Sequence, residues 1–138
     1  MSTEQATIQF KTFFVKESHI VFDKLTNYQI EINLDANGIV NTLLNIFILR
    51  LNVYVKDKDD AFHIKISTES VFSFPQDADI EKYKKSYFIL NAPAIIFPYI
   101  RAYISSLTAL SGMVTLTLPT LNLTILGDSL KENISIIE

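Results

Sequence analysis

This sequence predicts an α+β domain: a four-stranded antiparallel β-sheet with one long helix packed on one face. Three observations predict it. Apolar and polar residues alternate through the first half, as in Ile30, Ile32 and Leu34 and again in Phe47, Leu49, Leu51, Val53 and Val55, and period two marks a half-buried strand. The connections between those runs are short and turn-like, which suits antiparallel neighbours. In the second half the period changes to three and four, with Ile96, Tyr99, Ile100, Tyr103, Ile104, Leu107 and Leu110 on one broad helical stripe. The 138 residues, 1–138, are expected to form a single domain.

In chain order, Thr7 to Lys16 reads as a strand, with Ile8, Phe10 and Phe14 on one face and Phe13 and Val15 loading the other. Ile20-Val21-Phe22 is a short apolar run in a polar connection that continues through Leu25. Tyr28 to Leu34 alternates cleanly, and Asp35-Ala36-Asn37-Gly38 is a turn signal. Val40 to Lys56 is a long extended segment, Lys56 to Asp60 a solvated hairpin tip, and Phe62 to Phe74 the returning strand. Val71, on the opposite parity there, predicts a bulge or bend. Pro75 ends the sheet, and Asp79 is placed to cap a short helix bearing Ile80, Tyr83 and Tyr87.

The long helix has its own punctuation. Asn91 is a candidate N-cap, and Pro93 fits a first turn. Pro98 predicts a kink, or an unbroken part that starts near Phe97. Gly112 supplies a left-handed stop. Val114, Leu116 and Leu118 then alternate with threonines as an extended piece, Gly127-Asp128 breaks the chain, and Ser129 to Glu138 is a weakly patterned tail.

Composition narrows the function. With no cysteine, disulfides, thiolate zinc sites and cysteine nucleophiles are excluded, and two histidines make a histidine-rich metal site a poor expectation. A net charge of −3 without a Lys/Arg cluster argues against nucleic acid. The start, MSTEQATIQF, lacks the parts of a secretory signal, and no run approaches the ~18 apolar residues of a membrane span. A cytoplasmic protein without membrane insertion is the expectation. Yet 49% of the residues are hydrophobic, more than a domain this small hides alone. The surplus points to an oligomer interface, a client-binding surface, or both.

Candidate chemistry is thin. His19 and Asp23 would form a base–carboxylate pair only on a helix, and their surroundings read as extended chain, so His19 is expected on a surface loop and His63 in solvent. Asp57, Asp59 and Asp60 lack the glycine and closing glutamate of a calcium loop. Ser70, Ser105, Ser106 and Ser111 have no nucleophile-elbow context. No catalytic constellation, metal site or cofactor is expected, so an enzyme is not the reading. Arg101 stands out because it interrupts an apolar helix beside Tyr99 and Tyr103. It is either solvated, paired within its own chain, or an intersubunit contact.

Phe97-Pro98-Tyr99-Ile100-Arg101-Ala102-Tyr103-Ile104 resembles the F-P-[FY]-x-R-x-x-I signature of the SecB family of bacterial protein-export chaperones. Ser111-Gly112 followed by Leu116, Leu118, Pro119, Leu121 and Asn122 is similar to that family's pattern after the helix. The resemblance implies a SecB-like fold and an ATP-independent holdase that binds unfolded precursor proteins for export and hands them to SecA. It implies a client surface at Phe22, Leu25, Tyr28, Tyr83, Tyr87, Phe88, Leu90 and Leu116. Each such side chain would contribute about 1–3 kcal/mol when fully buried. SecA contact would fall at Glu17 and Asp23. A homotetramer, built as a dimer of dimers, would use Phe97, Tyr99, Arg101, Tyr103, Ile104 and Leu107.

Two departures qualify that picture. Lys65 stands where the family carries an acid, which counts against SecA delivery. Leu123 replaces an aromatic residue and Gly127 intervenes, so the family's second helix is expected to be short, displaced or missing. The alternatives are a SecB-like chaperone outside export, for example in a toxin–antitoxin system, and a non-catalytic oligomeric ligand- or protein-binding α+β domain.

Overall fold

The computed structural model describes residues 7–23 and 29–137. Its strands are β1 (Gln9–Phe22), β2 (Ile30–Asn41), β3 (Ile46–Asp57), β4 (Phe62–Ser73) and β5 (Ile134–Ile137). The helices are α1 (Ile80–Lys84), a π-helical turn (Tyr87–Asn91), α2 (Ala92–Leu110) and α3 (Thr124–Lys131). The α+β class holds, with five strands instead of four, in the order β1-β4-β3-β2-β5. The first four are antiparallel, and β5 lies parallel on β2. Four isoleucine- and serine-bearing residues are too few to announce a strand, and only the end of α3 delivers them to an edge.

One face of the sheet is continuous core. Phe47, Leu49, Leu51, Val53 and Val55 of β3 and Phe62, Ile64, Ile66 and Phe72 of β4 are essentially sealed. Period two read these two strands correctly because neither is interrupted. β1 is different. It runs to Phe22, and the register with β4 slips between Phe10 and Thr12 and again between Val15 and Glu17. Each slip adds one residue, Lys11 and then Lys16, and reverses the parity. Phe10, then Phe13 and Val15, then Ile20 and Phe22 therefore all pack on the core, while Phe14 is exposed. Val71 did signal a bulge, which sits opposite it on β1.

Two glycine readings are corrected. Asp35-Ala36-Asn37-Gly38 is no turn but the middle of β2. A Cβ on Gly38 would lie 2.5 Å from Cε1 of Phe47, so the missing side chain makes room for that ring. Gly127 does not break the chain either. It lies within α3, where a Cβ would stand 2.8 Å from the carbonyl oxygen of Ile89, so glycine lets α3 approach the π-helical turn. The family's second helix is thus present and short, at eight residues.

The helical layer covers the core face. Asp79 caps α1 by accepting from the Lys82 N–H. Asn91 does not cap α2, since it is itself helical and continues from the π-helical turn. That turn inserts one residue into the spiral and directs Phe88 and Ile89 inward. Pro98 neither ends the helix nor delays it. It sits on the solvent side with Ala94, whose carbonyl loses its partner there at little cost. Ile96, Ile100 and Ile104 form the fully buried stripe, and Gly112 at φ +86° closes the helix. The helical run Ile80–Leu110 is long and apolar enough by composition to cross a bilayer, which the absence of an unbroken apolar run did not suggest. Its isoleucine stripe packs in the core and accounts for that composition.

Candidate functional site

An aromatic row ties the layers together. Tyr99 of α2 packs on Phe10 at 5.3 Å between ring centroids and on Phe13 at 5.6 Å. Phe10 meets Phe72, Phe72 meets Phe47, and Phe47 stacks on Phe88 at 4.2 Å. Phe88 and Tyr83 are therefore core residues. Phe88 is fully buried, and Tyr83 donates its hydroxyl to the carbonyl of Thr7 at 3.0 Å. Burial, with Tyr87 and Asp77 nearby, holds the Tyr83 phenol above its ordinary 10.0. Neither residue offers a client surface, a correction that follows from the π-helical turn rotating this segment inward.

The remaining client candidates divide. Leu90 is exposed, and Phe22, Tyr87 and Leu116 are half-buried at the rim of the core. Leu25 and Tyr28 lie outside the described residues. Around them the chain past α2 is held by three polar side chains. Arg101 Nε donates to the Leu118 carbonyl at 3.0 Å, and Ser105 Oγ donates to the Leu116 carbonyl at 3.0 Å. Thr108 Oγ1 accepts from the Leu116 N–H at 2.9 Å. Positions 101, 105 and 108 follow the helical repeat, so this polar stripe was legible in the sequence but went unread. Arg101 accordingly serves a backbone carbonyl of its own chain, neither a carboxylate nor open solvent.

The extended segment ends at α3, and a cleft of about 280 Å³ opens between α3 and β2. Ile32, Leu34, Leu121, Ile125 and Leu126 make it apolar, and Asn33, Asn122 and Ser129 add polar groups at its margin. Sequence reasoning missed it because Ile125 and Leu126 belonged to a stretch read as broken chain.

The opposite face of the sheet is polar. Arg50 pairs with Glu69 at 3.5 Å, Lys56 with Glu31 at 3.8 Å, and Lys65 with Glu17 at 3.5 Å. Glu17 is thus partly neutralised, and Asp23 lies six residues further along, beyond the end of β1, about 20 Å away at strand spacing. His19 is on this face of β1, not on a loop, and stacks on His63 at 5.6 Å. Asp57 is buried at the end of β3, where it accepts from the N–H groups of Gln29, Ala61 and Asp59. Ser70 is sealed in the core, out of reach of any substrate. Among the described residues no group of three His, Asp or Glu side chains could hold a metal ion.

The expected interface residues also divide. Phe97 and Ile104 are buried within the single chain, so neither offers a free surface to a second copy. Tyr99 is 46% exposed, and Arg101, Tyr103 and Leu107 are half-buried. On the solvent side of α2 stand Ala94, Ile95, Pro98, Tyr99, Ala102, Ser106 and Leu110, without a charge among them.

Comparison with known proteins places these features in context. The family model of the preprotein translocase subunit SecB matches residues 4–130. The protein-export protein SecB of Anaplasma phagocytophilum (strain HZ) is 35% identical over 72 residues, which is 51% of this chain and 46% of that protein. The chain thus spans about half the length of this curated relative. Among solved structures, a Mycobacterium tuberculosis SecB-like chaperone in complex with a peptide from an antitoxin superposes with a TM-score of 0.72 at 15% identity. That match covers 84% of this chain and 88% of the other.

Proposed function

The chain belongs to the SecB family of preprotein translocase subunits, and from that premise we propose that it is a chaperone that holds unfolded polypeptide without ATP, in the cytoplasm and for export. The observation that carries this reading is the apolar cleft at the β2–α3 border, continued by the exposed Leu90 and Ile125. A folded protein hides its apolar segments, so such a surface selects non-native chains. The role is binding, and no reaction is assigned to it. Phe22, Tyr87, Leu90 and Leu116 are the proposed rim contacts, with Leu25 and Tyr28 joining from the crossover between β1 and β2.

Assembly as a dimer of dimers is part of the proposal. The uncharged solvent side of α2 supports it, because small and apolar residues allow two helices to pack closely. Tyr99→Asp is expected to lower the mass seen by sedimentation, and an unchanged mass would remove α2 from the interface.

Export and antitoxin protection remain two uses of one surface. The Glu17–Lys65 pair favours the second, since it leaves little acidic surface for SecA. The test is capture of a secretory precursor, unfolded and folded, without nucleotide. Retention of the unfolded form alone supports the holdase, and SecA displacing the complex then assigns export. Equal retention of both forms, or of neither, overturns the reading.

A further inference from the structure

The β2 edge is covered along only part of its length. β5 pairs with Gly38 to Asn41, and no other described strand lies beside Ile30 to Asn37, a stretch of about 26 Å at strand spacing. Gly38 N–H donates to the Asn133 carbonyl at 3.1 Å, and Thr42 N–H donates to the Ile137 carbonyl at 3.1 Å. Even-numbered amides therefore point outward, and the alternation of a strand turns those of Ile32, Leu34 and Ala36 the same way. Their side chains face the core side, where Ile32 and Leu34 line the apolar cleft. Main-chain donors and an apolar trough thus run side by side.

We propose that this open half of β2 receives an extended, uncharged, apolar segment of a client as an added strand, collinear with β5. The protein carries a template for the occupant. Ile134-Ser135-Ile136-Ile137 already sits on the same edge, with Ile134 and Ile136 in register beside core-facing Gly38 and Val40, and Ser135 beside Ile39. An occupant with the same alternation sends its apolar residues toward Leu121, Ile125 and Leu126. The other free edge is poorly suited to this. β1 is bulged twice, with a lysine at each bulge, whereas β2 is regular and has no lysine. Main-chain pairing is indifferent to client sequence, which fits a binder of many chains.

The inference rests on the client-binding reading above, and its test separates the two. The probe is a capped heptapeptide alternating isoleucine with serine and lysine, offered to the full chain. Two versions carry N-methyl groups on alternate amides, one on the isoleucine set and one on the other. Strand addition predicts that one set abolishes binding and the other leaves it, and that the intact peptide slows amide exchange at Ile32, Leu34 and Ala36. Ile125→Asp, at a position 76% exposed, is expected to weaken binding by about tenfold or more while the protein stays folded. Equal behaviour of the two methylated peptides, or protection confined to other amides, overturns strand addition and leaves the capture of unfolded precursor standing.

Discussion

The two flanks of the sheet face the same hazard, an unpaired strand edge, and meet it in opposite ways. β1 is long, paired with β4 along its whole length, and distorted at Lys11 and Lys16. Each bulge puts a cation on the rim and spoils the flat repeat that another strand would need. β2 keeps a regular register against β3 from Ile30 to Asn41 and is capped by four residues of β5. The contrast teaches that the same fold can blunt one edge and keep the other receptive, using only where extra residues fall.

Four changes would break or sharpen that contrast. The largest effect is expected from Phe88→Ala, which removes the ring stacked on Phe47 in the row that links both flanks. Urea unfolding should show a loss of about 3–5 kcal/mol. A loss below that range would mean the row contributes little to joining them. Gly38→Val acts on the β2 flank alone. Its Cβ meets the Phe47 ring, and the cost should be about 1–3 kcal/mol, with faster amide exchange in β5 than in β1.

Asp57 anchors the start of β2 through the Gln29 N–H. Burial pushes its carboxyl up, but the amides of Ala61, Gln29, Asp59 and Lys58 together pull it down, and the net is below the ordinary 3.8. Between the folded and unfolded values the unfolded chain binds more protons. The contribution is therefore full above about pH 3.8 and lost as pH falls through the folded value. Asp57→Asn should be less stable than the parent near neutrality, with the gap narrowing in acid. A gap that is constant with pH would assign the carboxylate no such role. The smallest change in stability, within about 0.5 kcal/mol, is expected for Lys11→Val with Lys16→Val. Light scattering should nevertheless show more association, and an unchanged mass would mean the bulges alone protect β1.

Legibility followed continuity. β3 and β4 were read correctly, face by face, because an uninterrupted strand keeps its parity. β1 was misread after Phe10 because one inserted residue reverses every later side chain, and the sequence does not mark which residue is extra. The family signature in α2 was visible, as was the left-handed stop at Gly112. The buried state of Tyr83 and Phe88 was not, since their facing depends on a π-helical turn. The polar stripe of Arg101, Ser105 and Thr108 had the right spacing, but its partners are carbonyls and an amide that no side-chain pattern announces.

By itself, the sequence determined the α+β class, the alternation of the two central strands, the apolar stripe of the long helix and the family. These follow from local periodicity and from a contiguous motif. Only the tertiary structure decided which edge stays open, why Gly38 and Gly127 are glycines, and where the cleft lies. Those depend on approaches between residues far apart in sequence: a phenylalanine ring over a strand, a carbonyl against a helix, a C-terminal strand reaching half an edge. Such distances are set by packing the whole chain, and no local pattern encodes them.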